Sequence, residues 1–106
     1  MVDSTVRKGL SMVGPKESSI EAYLVSSIEG VGGECLKLEV KGRRGWPDRI
    51  CVLPGVVFFV ECKRPVGGRL SAMQKIRIRE LKHLRVKVFI ISTRSQVDDL
   101  IKEIMK

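Results

Sequence analysis

Residues 48–63 read DRICVLPGVVFFVECK, and this stretch decides the fold. Two apolar runs flank the turn-forming pair Pro54-Gly55, so the sequence predicts two antiparallel strands joined by a hairpin. If the loop consists of this pair alone, counting outward places Asp48 directly opposite Glu61. Directly opposed residues in a sheet have Cβ atoms about 4.5–5.5 Å apart. The hairpin is therefore expected to bring two carboxyl groups together at one end of a sheet.

A lysine shares the face of this carboxyl pair. Lys63 is two residues beyond Glu61, and side chains two apart on a strand point to the same face. Pro-Gly is not the favoured pair for a two-residue hairpin, which needs a positive φ at its first position, so a longer loop is an alternative. A register shift of two residues keeps all three groups together, whereas a shift of one separates them.

Opposed carboxylates destabilise a sheet unless a proton or a cation lies between them. Carboxylate oxygens without His or Cys suit Mg²⁺ or Mn²⁺. Such an ion, together with a basic surface that binds the substrate, is sufficient in principle for phosphodiester hydrolysis. The alternative is a salt-bridged strand end, in which Glu61 pairs with Lys63 or Arg49 and Asp48 merely ends a loop.

Composition excludes several classes of protein. The chain has 106 residues, which suits one domain, and we expect a loose arm over residues 1–15 and a single domain over residues 16–106. No apolar run approaches the ~20 residues that a membrane-spanning helix needs. We see no secretory signal. Three cysteines, none spaced two apart, and one histidine exclude a usual zinc site and a disulfide framework, so a reducing, cytoplasmic setting fits best.

Positive charge is concentrated in the middle of the chain. Twenty Lys and Arg against twelve Asp and Glu give a net charge of +8. Residues 63–87 hold nine basic residues and one acidic residue, Glu80. This pattern favours a polyanionic partner, most simply nucleic acid. The alternatives are a solvated surface that aids solubility and, less favoured, an acidic membrane surface, because no strongly apolar amphipathic face accompanies the charge.

The hydrophobic pattern predicts the element order α-β-β-β-α-β-α. A mixed β-sheet covered by helices, an α/β fold, follows from a hairpin plus a strand reached through a helix. Ser71 is the expected N-cap of the second helix. The predicted elements are a helix over 16–29, strands over 34–40, 48–53 and 56–63, a helix from 71 to about 84, a strand over 85–92 and a helix over 95–105.

These motifs resemble a known nuclease family. Pro47-Asp48 followed by Glu61-Cys62-Lys63 is the PD…(D/E)xK pattern of restriction-endonuclease-like nucleases. The surrounding residues make the resemblance more specific, and the sequence from about residue 16 to residue 100 is similar to the VRR-NUC family in its small stand-alone form, common in phages and bacteria. The supporting residues are Glu17, Ile20 and Leu24, then Gly32-Gly33, GWPDR at 45–49, VECK at 60–63, Leu70-Ser71 and Gln74.

The resemblance implies a PD-(D/E)xK nuclease core and a Mg²⁺- or Mn²⁺-dependent endodeoxyribonuclease in a bacterial or phage-infected cell. It also implies branched DNA as substrate, as for Holliday-junction resolvases, and a homodimer with two active sites. The alternative function is a non-catalytic, basic nucleic-acid-binding module. The presence of Asp48, Glu61 and Lys63 together argues against it.

Carried over position by position, the resemblance assigns a role to each motif residue. Glu21, one turn further along the helix, competes with Glu17 for the role of the helix carboxylate. The implied catalytic residues are Glu17, Asp48, Glu61, Lys63 and Gln74, and the implied metal ligands are Asp48, Glu61 and the backbone carbonyl of Cys62.

The remaining candidates are DNA contacts. Trp46 is expected to pack against its own domain in preference to stacking on DNA. Gln74 and Arg77 fall within a helical arc shared with Leu70, Met73, Leu81 and Leu84 that should be buried, and Arg77 is expected to reach water from it. Cys35, Cys51 and His83 are expected to have no chemical role. The predicted phosphate contacts are Lys41, Arg43, Arg44 and Arg69.

Overall fold

The computed structural model describes residues 17–106 apart from Pro65, and only the backbone of residues 17 and 18. The arm expected over residues 1–15 lies outside this part of the chain. The order α-β-β-β-α-β-α is confirmed across the described residues. The elements are α1 Glu17–Gly30, β1 Glu34–Lys37, β2 Arg49–Leu53, β3 Val56–Cys62, α2 Ala72–His83, β4 Val88–Ile91 and α3 Arg94–Ile104.

The four strands form one mixed sheet in the order β1-β2-β3-β4. β1, β2 and β3 pair antiparallel in succession, and β4 pairs parallel to β3 after the crossover through α2. Leu53 lies opposite Val56, so the hairpin loop is the two-residue loop. Gly55 takes the positive φ of 78° at the second loop position, a conformation that Pro followed by Gly favours in type II turns.

One face of the sheet carries the hydrophobic core beneath α1 and α3. Ile20, Leu24 and Ile28, spaced four residues apart on α1, are buried, as are Val97 and Leu100 on α3. The strand residues facing these helices are Cys35, Cys51, Leu53, Phe58, Val60, Cys62 and Ile91. The two thiols at positions 35 and 51 lie across from each other in this core, with Sγ atoms 3.5 Å apart.

The opposite face of the sheet is only partly covered. Leu36, Val52, Val57 and Ile90 are each 39–50% exposed. Glu61 lies on this face and accepts a hydrogen bond from Gln74, a residue of α2. The partly covered face is therefore the one that carries the carboxyl pair. Among the described residues, no helix is long and apolar enough to cross a membrane.

β1 and β4 are shorter than predicted by three and four residues, whereas β2 and β3 are each shorter by one. β1 ends at Lys37, after which Leu38 pairs once more through its N–H to the Asp48 carbonyl before the chain turns. β4 begins at Val88 because Arg85 adopts a φ of 65° and closes α2. The Val86 N–H donates to the Leu81 carbonyl and the Arg85 N–H to the Lys82 carbonyl, which is the Schellman pattern of a helix C-terminus.

The buried face of α2 differs from the predicted arc. Met73 is 38% exposed and Leu84 is 70% exposed, so the expectation that both are buried is wrong. The buried side chains of the helix are Arg77 and Leu81, which belong to that arc, and Ile78, which does not. Ser71 is the N-cap, as predicted. The buried stripe is therefore narrower than the predicted arc and includes a charged side chain with its polar partners.

Candidate active site

Asp48 and Glu61 meet at the open end of the hairpin, as the register predicts. Arg49 lies opposite Val60, and the next pair outward is Asp48 and Glu61. The Asp48 backbone N–H donates to Glu61 Oε1 at 3.1 Å, and the Cys62 N–H lies 3.4 Å from Asp48 Oδ2. Each carboxylate is thus held by the backbone of the opposite strand, and the two side chains share one small region.

Glu61 is the most enclosed carboxylate of the described residues. It is 1% exposed. Burial raises its pKa, and the negative charge of Asp48 raises it further, against the lowering effect of Lys63. Burial likewise raises the pKa of Asp48, with a further rise from the charge of Glu21. Both carboxyl groups are therefore held where a proton or a cation between them is favourable.

Lys63 directly follows β3 and contacts the same carboxylate. Its Nζ lies 3.3 Å from Glu61 Oε2, and its backbone N–H donates to the Ile91 carbonyl on β4 at 2.9 Å. The lysine side chain keeps 18% of its surface exposed. The ion pair of the salt-bridge alternative is therefore present, and the same contact puts an ammonium group beside the carboxyl pair at the edge of the solvent.

Gln74 reaches Glu61 from the first turn of α2. Its Nε2 donates to Glu61 Oε2 at 2.7 Å. Its Oε1 accepts from the Ser71 N–H at 2.8 Å, and its own N–H donates to Ser71 Oγ at 3.1 Å, which completes a capping box. The side chain is fixed at both ends, so the glutamine orients Glu61 while capping the helix.

The helix carboxylate stays undecided between two residues. Glu17 begins α1, but its side chain lies outside the described part of the structure. The Glu21 Oε2 accepts from Arg49 Nε at 3.0 Å, and its charge acts on Asp48. Glu21 therefore lies near the carboxyl pair. The Cys62 side chain is fully buried in the core, so only its backbone is available on the site face, as predicted.

The predicted phosphate contacts lie on two loops at the same end of the sheet. Lys41, Arg43 and Arg44 are exposed on the loop that leads into β2 and Asp48. Arg69 is exposed on the loop that follows Lys63. Both loops join the strand ends that carry the carboxyl pair.

Trp46 packs against its own domain, as expected. Its ring meets Phe59 edge-on with centroids 5.8 Å apart, and the Arg77 guanidinium lies 5.6 Å from the ring centroid.

Arg77 is only 7% exposed, so the expectation that it reaches water is wrong. Its guanidinium instead donates to the backbone carbonyl of Arg44. The sequence signals of this contact are the position of Arg77 within the predicted arc of α2 and the glycine at position 45.

The donor set fits a hard divalent cation of the Mg²⁺ or Mn²⁺ kind. Asp48 and Glu61 offer oxygen atoms, and burial makes their unneutralised charges unfavourable. No cluster of three or more His, Cys, Asp or Glu side chains that could hold a metal occurs among the described residues. Any such ion would therefore need backbone or solvent oxygens in addition to this pair, which is the preference of Mg²⁺.

Comparison with known proteins agrees with the motifs. A scan against models of protein families finds no match. A solved structure described as a VRR_NUC domain superposes with a TM-score of 0.77 and 32% sequence identity, covering 81% of this chain and 94% of that one. The chain belongs to the VRR-NUC family. The resemblance inferred from the sequence and the predicted α/β nuclease fold, a mixed sheet flanked by helices, are thereby confirmed.

A phage protein provides a second comparison for this VRR-NUC chain. A protein of Acyrthosiphon pisum secondary endosymbiont phage 1, named "Putative nuclease p44", is 51% identical over 51 residues. The match includes 47% of the VRR-NUC chain and 55% of the phage protein. The chain thus spans about half the length of the curated relative that it matches.

Proposed function

We propose that this VRR-NUC protein is a metal-dependent DNA endonuclease that cuts branched DNA. The observation that carries the proposal is the convergence of Asp48, Glu61 and Lys63 at one end of the sheet. Two carboxylates that favour a cation and one ammonium at the solvent edge are the groups that phosphodiester hydrolysis requires. A non-catalytic binding module has no need to pair the buried Glu61 with the half-buried Asp48, since burying charge is unfavourable without a cation.

Asp48, Glu61 and the Cys62 carbonyl would hold the Mg²⁺ or Mn²⁺ ion. When bound, the ion supplies a lower pKa for its water and neutralises charge on the phosphate. Gln74 holds Glu61 Oε2 by its 2.7 Å bond and so orients that carboxylate. Lys63, 3.3 Å from the same oxygen, orients the attacking water or offsets the charge that develops on the phosphate.

Exposed cations around the site would bind the DNA backbone. Lys41, Arg43, Arg44 and Arg69 lie on the two loops that flank the carboxyl pair. Contacts to phosphate fix the position of a protein on DNA without reading its sequence. Such contacts would bind DNA without regard to base sequence, as recognition of a branched structure requires.

A homodimer would supply the second active site needed to cut two strands. A chain of 106 residues is too small to enclose a duplex, and two-fold pairing is the commonest assembly of small proteins. The partly exposed Leu36, Val52, Val57 and Ile90 provide apolar surface on the face of the sheet that carries the site. A two-fold partner would bury these side chains, and burial of apolar surface favours association.

Cleavage of a panel of labelled substrates tests the proposed function. Duplex, flap, single-stranded and four-way-junction DNA are incubated with protein and Mn²⁺, with and without excess EDTA. We expect cleavage that EDTA abolishes, fastest on the junction, and lost in Asp48→Asn. Asp99→Asn, which removes an exposed carboxylate on α3, is the matched control and should cleave normally. Turnover in excess EDTA would contradict the proposal.

A further inference from the structure

The loop that leads to Asp48 packs directly on the first turn of α2. Gly45 has a φ of 86°, and a Cβ added there would lie 2.5 Å from the Met73 carbonyl oxygen. The backbones of loop and helix therefore touch without a side chain between them. Met73 immediately precedes Gln74, which holds Glu61. The loop thus meets the helix at the residue that orients the buried carboxylate.

Arg77, one turn further along α2, fastens this contact. Its Nε and Nη2 both donate to the Arg44 carbonyl, at 3.3 and 3.0 Å, and its Nη1 pairs with Glu80 Oε1 at 2.7 Å. The plane of the guanidinium lies near Trp46. These partners occupy all three nitrogen atoms, so Arg77 is bound within the protein and is not a free phosphate ligand.

The backbone and the side chain of Arg44 have different surroundings. Its backbone carbonyl is held by Arg77, whereas the residue as a whole is exposed. A fixed backbone limits where the exposed cation can reach. Four residues later the same chain segment becomes Asp48, after the fully buried Pro47. One buried arginine therefore fixes both a predicted phosphate contact and the approach to the carboxyl pair.

We infer that Arg77 is a positioning residue that holds the 43–48 loop against α2. It thereby fixes the position of the phosphate contacts of this loop relative to the Asp48–Glu61 pair. This inference rests on the proposed nuclease function. Only a planar fork can donate two bonds to one carbonyl and a third to a carboxylate, so lysine cannot replace it. Misplacement by about 1 Å, remote from the chemistry, can lower a rate by about 10²-fold.

Trp46 is the only tryptophan of the chain, so its fluorescence reports the contact directly. Arg77→Ala, Arg77→Lys and the matched control Arg79→Ala are compared; Arg79 is exposed on the same helix, and its substitution removes the same charge. In Arg77→Ala we expect Trp46 emission to move to longer wavelength and the single-turnover cleavage rate at saturating DNA to fall about 10²-fold. Methylguanidinium at millimolar concentration should partly restore both in Arg77→Ala. Arg79→Ala should change neither.

Several outcomes overturn the inference. Emission and rate unchanged in both Arg77 variants would show that the loop does not need the arginine. Arg77 would be a phosphate contact instead if its substitution left the cleavage rate at saturating DNA unchanged but reduced the slope of log affinity against log salt by about 0.9. If Arg77→Ala does not fold, Arg77→Lys is decisive, since it keeps the charge and should still show the shifted emission and slower cleavage. If the wild type cleaves no DNA, the proposed function fails, while the emission shift and its rescue still decide the positioning role.

Discussion

The contribution of the Gln74–Glu61 hydrogen bond to stability can be measured with Gln96 as a control within the same protein. Gln74 and Gln96 occupy the same capping-box position, at the starts of α2 and α3. Gln96 Oε1 accepts from the backbone N–H groups of Ser92 and Thr93, at 2.6 and 3.2 Å. Gln74 makes one such capping bond, with Ser71, and in addition donates to Glu61 at 2.7 Å. Substitution by alanine therefore removes two capping bonds at α3, and one capping bond together with the Glu61 bond at α2.

The additional bond at position 74 is the one to a buried carboxylate. Hydrogen bonds to charged groups contribute about 1.5–3 kcal/mol, against about 1 kcal/mol for neutral ones. We expect Gln74→Ala to lower the free energy of unfolding by roughly 0.5–2 kcal/mol more than Gln96→Ala does, because the second capping bond of Gln96 offsets about 1 kcal/mol of the bond to Glu61. Urea unfolding with linear extrapolation, in the absence of divalent cations, measures the difference.

A double-mutant cycle assigns this difference to one interaction. In a Glu61→Gln background the carboxylate is replaced by a neutral amide, so the excess cost of Gln74→Ala over Gln96→Ala should fall toward zero. Equal effects of Gln74→Ala and Gln96→Ala, or an excess that Glu61→Gln leaves unchanged, would refute the idea that Gln74 supports the buried carboxylate.

Three further predictions concern charge at the site. Asp48→Asn should abolish cleavage yet bind DNA with equal or greater affinity, because it removes a negative charge; weakened binding on folded protein would contradict this. Alanine at both Arg43 and Arg44 should reduce the slope of log affinity against log salt by roughly two units, about 0.9 for each phosphate that is no longer neutralised, with Lys102→Ala on α3 as the control; an unchanged slope would place the DNA elsewhere. Mn²⁺ at about 100 times its dissociation constant should stabilise the wild type by about 2.7 kcal/mol in thermal unfolding and Asp48→Asn much less; equal stabilisation would move the metal to another site.

The register of the hairpin was predictable because a few residues determine it. Pro54-Gly55 admits a short loop, and the alternation of strand side chains then places Asp48 opposite Glu61. The N-cap at Ser71 was also predictable, since serine followed three residues later by glutamine forms a capping box through local bonds alone. Features set by local chemistry can be read from one sequence.

The buried face of α2 could not be predicted because distant residues define it. Arg77 is buried since the carbonyl of Arg44, 33 residues away, and Glu80 satisfy its guanidinium. A helical wheel contains no information about such partners. Met73 and Leu84, by contrast, are apolar yet 38% and 70% exposed. The alternation of β1 likewise could not show that Cys35, rather than Leu36, faces the core.

Single-turnover cleavage by Lys63→Ala tests the central claim, that the Asp48–Glu61–Lys63 cluster hydrolyses DNA. Lys63 lies 3.3 Å from Glu61 and is proposed to act on the attacking water or the developing charge, not to hold the metal. Lys63→Ala should bind Mn²⁺ and DNA nearly normally and cleave at least ~10²-fold more slowly, and Lys63→Arg should not restore the rate. The exposed Lys87, just before β4, gives the control Lys87→Ala, which should cleave at the wild-type rate. Cleavage by folded Lys63→Ala at the wild-type rate would contradict the catalytic role and leave the lysine as a strand-end ion pair.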